Sequence, residues 1–384
     1  MKILLIGGAG FIGSHTALRL LREGHEPVVL DSLDPQIHGA DLGTSATFGL
    51  LSGRVPVICG DTRDRGAVER AVRDVEAIYY FPAGTGTGQS MYQIERYTDI
   101  NARGAAVFGE VLGEHKAHIR KVIVSSTRAI YGEGAAICPE HGRVYPDSRK
   151  LADLEAGVFE TKCPICGAPV EASASLESDP ARPGSIYGIT KLAQEQIVSN
   201  VCQSHGIPAV VFRYQNVYGP GQSLNNAYTG ILSIFTQLLL AGREINLFED
   251  SLPSRDFVFI DDLVEYNFRA LSLESDGLEV FNLGSGVRST LVDLVEALAA
   301  ALGVELKYFI SGQFRVGDIR HAAADLARLT SGLGAHEFLS LRDGVKRFTD
   351  WVGRPGEQVT EANRRFDHSL NEMAAAGLLR SSRK

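Results

Sequence analysis

The sequence predicts an α/β protein whose core is a doubly wound parallel sheet, followed by a smaller second unit. Short apolar runs, bounded by glycine, proline or polar residues, recur along the first 215 of the 384 residues, and helical patterns separate most of them. Runs of this kind suit strands that are buried on both faces, and their alternation with helices is typical of a parallel sheet. After residue 215 longer helical patterns predominate, which indicates the second unit.

The strands expected in the first unit are KILLIG (2–7), EPVVLD (26–31), VPVICGD (55–61), AIYYFP (77–82), KVIVSST (121–127) and PAVVFRY (208–214). Helices are expected at 14–24, 64–73, 99–115, 187–204, 228–242, 262–272 and 290–302. We therefore expect one domain at 1–215, whose sheet is completed by about 255–285, and a discontinuous domain at 216–350. A C-terminal helix and tail at 351–384 end the chain, and the last five residues, RSSRK, are expected to be frayed.

Composition narrows the functional classes. The formal net charge of −8 argues against a nucleic-acid partner, because binding the phosphate backbone requires clustered lysine and arginine. No run of about eighteen uncharged apolar residues suggests a membrane span, and the N-terminus lacks a signal-peptide cleavage pattern. We expect a cytoplasmic protein without a membrane partner. In a reducing compartment its five cysteines are expected to be thiols or metal ligands.

A glycine-rich loop, GGAGFIG, lies between the first strand and the first helix. Gly7 allows a tight turn, Gly10 lets the backbone approach a pyrophosphate, and Gly13 lets helix and strand pack closely. Asp31 ends the second strand, where a carboxylate can bind the adenosine ribose and would repel a 2′-phosphate. Asp61, after the third strand, is expected near the adenine. These features predict a Rossmann-type domain that binds NAD rather than NADP.

A second group of residues could carry the chemistry. In SIYGITK, Tyr187 and Lys191 are four residues apart and share one face of the predicted helix. Tyrosine is a poor base at neutral pH, but a neighbouring ammonium and the positive nicotinamide ring favour its phenolate. Thr127, at the end of the fifth strand, adds a hydroxyl. The three residues form a candidate catalytic triad.

With these residues identified, the chain resembles the extended short-chain dehydrogenase/reductase superfamily, and within it the nucleotide-sugar epimerases and dehydratases. The segments that carry the resemblance are GGAGFIG, GDTRD, SSTRAIYG, YGITK, FRYQNVYGPGQ, RDFVFIDDL, FNLGSG and RVGDIRH. The resemblance implies that Thr127 hydrogen-bonds the reacting sugar hydroxyl, that Tyr187 takes its proton, and that Lys191 holds the nicotinamide ribose. It also implies a homodimer in which NAD stays bound through turnover.

The resemblance implies the remaining ligands as well. The second domain is expected to bind a nucleotide sugar through Asn216, Arg255, Arg315 and Asp318. Further cofactor contacts are expected from Phe11, Ile12, Thr62, Phe81, Ala83, Asn101, Ser125 and Tyr214. The segment YYFPAGTG at 79–86 departs from the family pattern at Tyr80 and Pro82.

The residues after Thr127 discriminate between reactions. In 4,6-dehydratases of the superfamily, an Asp-Glu pair at the positions of Arg128 and Ala129 supplies the acid and base for elimination. A 4-epimerase needs one base, because NAD takes the C4 hydride and the 4-keto sugar turns about its diphosphate before the hydride returns. We expect an NAD-dependent nucleotide-sugar 4-epimerase acting on a dTDP- or UDP-hexose. The chain looks more similar to the dTDP-L-rhamnose 4-epimerases of deoxysugar pathways than to housekeeping UDP-glucose 4-epimerases.

Other functions stay open at this point. A 4,6-dehydratase would share the fold, and an NADPH-dependent 4-ketoreductase would share the triad, although Asp31 counts against the latter. A nonenzymatic NAD-binding regulator would ordinarily have lost Tyr187 or Lys191, and both are present.

Thr127 and Tyr187 are sixty residues apart, and the surplus over the family pattern is an insert at 135–180. It contains CPEHG and CPICG, whose ligand-type residues are Cys138, His141, Cys163 and Cys166. Three thiolates and one imidazole are a set that zinc binds in a closed tetrahedron. We expect a zinc-ribbon-like insert whose metal is structural, because four protein ligands leave no position for a reacting water. The alternative is a surface loop with reduced thiols.

Overall fold

The computed structural model describes residues 1–224, 226, 228, 230–353 and 357–382. The strands in these residues, numbered in chain order, are β1 (Lys2–Ile6), β2 (Glu26–Asp31), β3 (Val57–Cys59), β4 (Ala77–Tyr80), β5 (Lys121–Thr127), β6 (Ala136–Cys138), β7 (Gly142–Val144), β8 (Glu171–Ala172), β9 (Ala209–Tyr214), β10 (Asn216–Tyr218), β11 (Ile245–Leu247), β12 (Ser254–Phe259), β13 (Leu278–Leu283), β14 (Arg288–Thr290), β15 (Tyr308–Ile310), β16 (Gln313–Arg315) and β17 (Leu379–Ser381).

The α-helices of the same residues are α1 (Phe11–Arg22), α2 (Pro35–His38), α3 (Ala46–Leu51), α4 (Arg65–Val72), α5 (Thr87–Ser90), α6 (Ile94–Thr98), α7 (Gly104–Glu114), α8 (Leu151–Glu155), α9 (Ile186–Ser204), α10 (Ile231–Leu240), α11 (Ile260–Ser272), α12 (Leu291–Leu302), α13 (Ala327–Leu333), α14 (Leu341–Val352) and α15 (Glu357–Ala375). A π-helical segment, Asp99–Arg103, precedes α7. None of the described helices has both the length and the apolar character needed to cross a bilayer.

The main sheet is parallel, as the sequence predicts. Within the described residues it contains seven strands in the order β3-β2-β1-β4-β5-β9-β13. All six strands expected in the first unit are present, and β2 and β5 have the predicted bounds. The strand order reverses between β1 and β4, which is where doubly wound sheets leave a crevice at the carboxyl ends of their strands.

The two faces of this sheet bury different side chains, because successive residues of a strand point to opposite faces. On one face Leu5 and Ile123 belong to an apolar cluster that also includes buried residues of α1, α11 and α12. On the other face Leu4 and Val122 belong to a cluster that includes residues of α4, α7 and α9. The apolar runs are therefore continuous, since both faces of each central strand are covered.

The main sheet is completed by only part of the expected range, 255–285. Residues 278–283 complete it as β13, but β12 lies in a separate three-stranded sheet with β10 and β14. The chain leaves the main sheet after Tyr214, and Asn216 of β10 then pairs with Phe257 of β12. The main-sheet position beside β9 is filled by β13 instead.

The C-terminal tail is also more ordered than expected. Leu379–Ser381 forms β17, which pairs antiparallel with β16, so that Leu379 lies opposite Arg315. The pairing satisfies backbone groups on the edge of β16, and the Val316 N–H donates to the Leu378 carbonyl at 2.9 Å. The expectation that RSSRK is frayed is therefore wrong for Arg380 and Ser381, while 383 and 384 lie outside the described residues.

The insert forms a small antiparallel sheet in which β6 pairs with β7 and β8. The apolar cluster of this sheet has Ala136, Cys138, Val144 and Cys163 as buried members, and a second small cluster packs Leu154 and Phe159 of the insert against Phe314. A core of this size supplies little hydrophobic stabilisation, so other interactions must hold the insert in place.

A buried ionic network joins the insert to the rest of the chain. Arg149 of the insert donates to Glu133 at 3.0 Å and to Glu249 at 2.8 Å. Arg320 is fully buried and donates to Glu249 at 2.7 Å, to Asp250 at 2.6 Å and to Glu160 of the insert at 2.6 Å. The segment that contains Arg315 and Arg320 is thus held by the insert on one side and by β17 on the other.

Replacing Arg320 should destabilise the protein strongly. Arg320→Met leaves the buried Glu249 with one cation instead of two and removes the partner of Asp250, so we expect a loss of about 3–5 kcal/mol in the free energy of unfolding, measured by urea denaturation. Arg120→Gln, at an exposed position that pairs with Glu76, is the control and should cost less than about 0.5 kcal/mol. A loss below about 1 kcal/mol for Arg320→Met would contradict the account of the network.

Candidate active site

The candidate site is a cavity of about 500 Å³ at the carboxyl ends of the parallel strands. Residues that end or follow β1, β2, β4, β5 and β9 line it, together with the first turns of α1 and α9. Of the predicted cofactor residues, all except Asn101 are in the lining. The cavity lies at the reversal of strand order, where ligands bind in sheets of this type.

Three glycines of the loop are needed for different structural reasons. Gly7 has a φ of +71°, a conformation that favours glycine, and a Cβ there would lie 2.8 Å from the Pro82 nitrogen. A Cβ on Gly13 would lie 2.5 Å from the Gly8 Cα, so a side chain would push α1 away from the loop. A Cβ on Gly10 would meet only the Gly7 carbonyl, at 3.5 Å. Gly10 therefore leaves room for a ligand at the helix N-terminus.

Asp31 fixes the loop to the second strand. Its carboxylate accepts hydrogen bonds from the Ala9 N–H and from the Leu33 N–H, both at 2.9 Å. The side chain is buried and lines the cavity beside His38, whose Nε2 lies 3.8 Å from it. Asp31 thus places a negative charge beside the glycine loop.

Asp61 lies farther along the same edge and pairs with Arg63. The Arg63 guanidinium donates to both carboxylate oxygens, at 2.9 and 2.6 Å, and these hydrogen bonds hold the pKa of Asp61 below its usual value. Arg63 also donates to Asp99. The carboxylate of Asp61 is therefore ionised and fixed at the rim of the cavity.

Thr127 and Tyr187 meet at the centre of the cavity. Thr127 ends β5, and its hydroxyl accepts from the Ala129 N–H at 3.2 Å. Tyr187 lies in the first turn of α9, which Ser185 caps by accepting from the Gly188 N–H. Burial raises the pKa of Tyr187, while its interaction with Thr127 and the charge of Arg128 lower it. Burial outweighs these two neighbours, so the pKa of Tyr187 is raised overall, and Thr127 and Arg128 partly offset that rise.

Lys191 lies one turn after Tyr187 and is buried. Its ammonium donates to the Ser125 carbonyl at 2.7 Å and to Gln194. Burial lowers the pKa of Lys191 to about 7, against a raising contribution from Glu195. The Lys191 ammonium is thus held near the end of β5 by hydrogen bonds to the strand and to its own helix.

Asn101 has a different position from the one expected of a cofactor contact. It is fully buried, accepts from the Gly84 N–H at 2.7 Å and donates to Thr190 at 3.0 Å. It therefore ties the lining loop after β4 to the helix that carries Tyr187 and Lys191. This is a positioning role.

The predicted substrate residues divide into two groups. Asn216 lines the cavity, whereas Arg255, Arg315 and Asp318 are absent from its described lining. Arg255 donates to Asp318 at 3.1 Å and to backbone carbonyls, including that of Ile319 at 2.8 Å. Burial raises the pKa of Asp318, but the charges of Arg255 and Arg315 outweigh it, so the net shift is downward.

The sequence did not identify several lining residues. They come from loops that meet only in the folded chain, and they include Asp34, Gln36, His38, Gln89, Arg96, Tyr97, Arg128, Gln222, Ser223, Tyr228 and Leu232. Most of these residues carry no local signal. Arg128 does, because it directly follows Thr127, but the sequence suggested only the absence of a carboxylate there.

The insert brings its four ligand-type residues together. One ligand atom each from Cys138, His141, Cys163 and Cys166 lies within 4.8 Å of the other three. The Cys138 sulfur lies 3.5 Å from the His141 Nδ1 and 3.8 Å from the Cys166 sulfur. Ligands of a tetrahedral zinc, with Zn–S near 2.3 Å, are separated by roughly this distance.

Comparison with known proteins decides the family. The model of the "NAD dependent epimerase/dehydratase family" matches residues 3–150 and 160–284, which is more than half of the chain. The chain belongs to this family. Residues 151–159, between the two matched ranges, lie inside the insert, while the rest of the insert falls within the match.

Individual relatives agree with this placement. A dTDP-L-rhamnose 4-epimerase of Burkholderia thailandensis is 36% identical over 355 residues, which cover 92% of this chain and 95% of the relative. A UDP-glucose 4-epimerase of Thermotoga maritima, solved with UDP-glucose, has a TM-score of 0.72 and 28% identity, covering 92% of this chain and 98% of that one. A Thermus thermophilus UDP-glucose 4-epimerase in complex with NAD has a TM-score of 0.70 and 26% identity, covering 91% and 98%.

Two glycine substitutions should separate packing from cofactor binding. Gly13→Ala forces a backbone clash and should cost about 1–3 kcal/mol of stability, measured by urea denaturation. Gly10→Ala has room in the protein itself and should leave stability unchanged, but its methyl group enters the cofactor space. We expect it to weaken NAD binding at least about 10-fold, measured by titration of cofactor-free protein. Equal NAD affinity in Gly10→Ala and wild type would contradict this assignment of the loop.

Proposed function

We propose that the protein is an NAD-dependent nucleotide-sugar 4-epimerase acting on a dTDP- or UDP-hexose. The observation that carries the proposal is the Thr127–Tyr187 pair in the lining of the cavity, with Arg128 and Ala129, instead of carboxylates, beside it. Elimination of water requires an acid and a base at those positions, whereas epimerisation requires a single base. The named relatives, a dTDP-L-rhamnose and a UDP-glucose 4-epimerase, support the same reaction.

The residues present fit a bound NAD. The glycine loop offers the helix N-terminus to a pyrophosphate, Gly10 leaves the required space, and Asp31 lies where a ribose hydroxyl can donate. Phe81, Ala83, Ser125 and Tyr214 line the inner end of the cavity, where the nicotinamide would lie. NAD bound there would accept a hydride from the substrate and return it.

The triad then carries the proton. Tyr187 accepts the proton of the C4 hydroxyl and gives it back after the sugar has turned, while Thr127 holds the oxygen in place. Lys191 is oriented to bind the nicotinamide ribose, while Thr127 and Arg128 are the neighbours that lower the pKa of Tyr187. Asn216, Arg255, Arg315 and Asp318 form the substrate side, with the arginines as ligands of the diphosphate. Tyr187 is the base when C4 is oxidised and the acid when it is reduced again, so no second acid is required.

We also propose that the insert is a zinc-ribbon-like clip with structural zinc bound by Cys138, His141, Cys163 and Cys166. The short distances between the ligand atoms and the insert's small apolar core support this reading. All four ligands come from the protein, so the metal has no open position at which to activate water. Its contribution is to fold the insert that holds Arg149 and Glu160 against the rest of the chain.

The remaining proposals concern organisation. We propose a cytoplasmic homodimer, with a cofactor domain at 1–215 and a substrate domain at 216–350. Cys59 and Cys202 are free thiols and the other three cysteines are the proposed zinc ligands, a cysteine usage typical of a reducing compartment. The separation of the main sheet from the β10-β12-β14 sheet supports the division of the chain.

Removing the phenol oxygen should abolish turnover without removing the cofactor. Tyr187→Phe is expected to lower kcat by about 10²–10⁴-fold on dTDP-L-rhamnose or UDP-glucose, with the C4 epimer followed by NMR and the bound NAD unchanged. Tyr308→Phe, on the partly exposed strand β15, is the control and should retain full activity. A 4-keto-6-deoxy product from the wild-type protein would contradict the epimerase proposal.

Zinc should be present at one ion per chain in protein purified without chelator. Cys163→Ser is expected to lose the metal and to lower the melting temperature by several degrees, because the insert then has too small a core. Cys59→Ser, which lies outside the cluster, should keep both metal and stability. The measurements are elemental analysis and thermal denaturation. Metal-free wild-type protein of normal stability would rule out the clip.

A further inference from the structure

Two half-buried guanidinium groups near the cavity, those of Arg128 and Arg315, have no carboxylate partner among the described residues. Among the described residues, no carboxylate oxygen lies within 4.0 Å of the side-chain nitrogens of Arg128 or Arg315, whereas Arg255 pairs with Asp318 at 3.1 Å. The guanidinium carbon of Arg315 lies 4.9 Å from the Phe248 ring centroid, and its Nε has no hydrogen-bond partner. A buried charge without a partner is costly, so this arrangement favours an anionic ligand.

Arg128 is the member of this group that faces the cavity. It lines the cavity, whereas Arg255 and Arg315 are absent from the described lining. Its Nε donates to the Asn216 amide oxygen at 2.8 Å, and this is its only hydrogen bond among the described residues. The other guanidinium nitrogens remain able to donate. A ligand in the cavity therefore meets Arg128 before the other two arginines.

Other nearby charges do not neutralise Arg128. Two carboxylates act on it, Asp318 more than Asp256. Asp318 is already paired with Arg255 at 3.1 Å, and Asp256 is fully buried and accepts from Ser285, Gly286 and Ala324. Burial, followed by the charge of Arg255, lowers the pKa of Arg128 to about 9. The group is still protonated at neutral pH and incompletely compensated.

The charge and position of the site fit a diphosphate. The unpaired groups carry two positive charges, and the diphosphate of a nucleotide sugar carries two negative charges. Arginine is also suited to phosphate because it presents several donors in a fixed plane. Arg128 directly follows Thr127, so a single strand end presents a hydroxyl for the sugar and a cation for the phosphate attached to it.

We propose that Arg128 is a ligand of the substrate diphosphate at its sugar-proximal end, next to Asn216. This inference rests on the proposed function, because it takes a nucleotide sugar as the substrate. In a dehydratase the residue at this position, directly after the threonine, would be an acid. In this chain the position is assigned to phosphate binding. Arg128 holds the phosphate about which the sugar must turn between loss and return of the hydride.

The test is the binding of a diphosphate that has no sugar. Thymidine diphosphate and UDP are titrated calorimetrically into the NAD-bound protein, as wild type, Arg128→Gln and Arg128→Lys. We expect Arg128→Gln to weaken the better-bound diphosphate about 10- to 100-fold and Arg128→Lys to weaken it less, because lysine keeps the charge but lacks the planar donors. Arg120→Gln, at an exposed position, is the control and should bind as wild type.

Thermal denaturation without ligand separates a binding role from a structural one. Glutamine can keep a donor for Asn216 while removing the uncompensated charge, so Arg128→Gln should melt no lower than the wild type. A large fall in melting temperature together with weaker binding would assign Arg128 a structural role and overturn the proposal. Unchanged diphosphate affinity in Arg128→Gln would also overturn it.

A second ligand distinguishes phosphate from another anion. UDP-glucuronic acid carries a sugar carboxylate as well as the diphosphate. If Arg128→Gln weakened only this ligand and left the sugar-free diphosphates unaffected, Arg128 would recognise a carboxylate and the proposal would be wrong. These titrations do not depend on turnover. A failure to detect any epimer would therefore count against the proposed function, and the binding results would still decide the role of Arg128.

Discussion

All seven residues of strand β5 are buried, and the active site depends on the last three of them. The strand lies between β4 and β9 in the sheet, so its central positions admit only apolar side chains. Its hydroxyl groups are confined to the last three residues, at the edge where the strand ends converge. Lys191 donates to the Ser125 carbonyl, Ser126 donates to Glu195, and Thr127 meets Tyr187. These contacts fix the position of helix α9 against β5, and so they place Tyr187 and Lys191 beside Thr127.

Charge provides the second constraint. Among the described residues Arg128 and Arg315 have no carboxylate partner within 4.0 Å, whereas Arg255 pairs with Asp318, and this positive charge is the basis for the proposed anionic substrate. The segment from Arg315 to Arg320 carries part of this charge. The insert and the C-terminal strand hold that segment from opposite sides, through Glu160 and through pairing with β16.

Sequence patterns predicted the features that local chemistry decides. The bounds of β2 and β5, the glycine loop and the Tyr187–Lys191 spacing could all be recognised, because each depends on residues close together in the chain. The convergence of the cysteine and histidine ligands could be expected from their paired spacing. Features that depend on distant partners could not be predicted. The apolar pattern of β12 does not show that it pairs with β10, the polar β17 has no strand signal, and the charge around Arg128 comes from three separate segments.

The central claim is that a single base and a bound NAD move one hydride away from C4 and back. The most direct test uses a nucleotide hexose labelled with deuterium at C4, converted by the NAD-bound protein in ordinary water and analysed by NMR and mass spectrometry. The account predicts that the epimer keeps its deuterium at C4. In a parallel reaction of unlabelled substrate in D₂O, it predicts that no deuterium enters any carbon. Transfer of the label to C6, or entry of solvent deuterium at C5, would show elimination chemistry and would contradict the account.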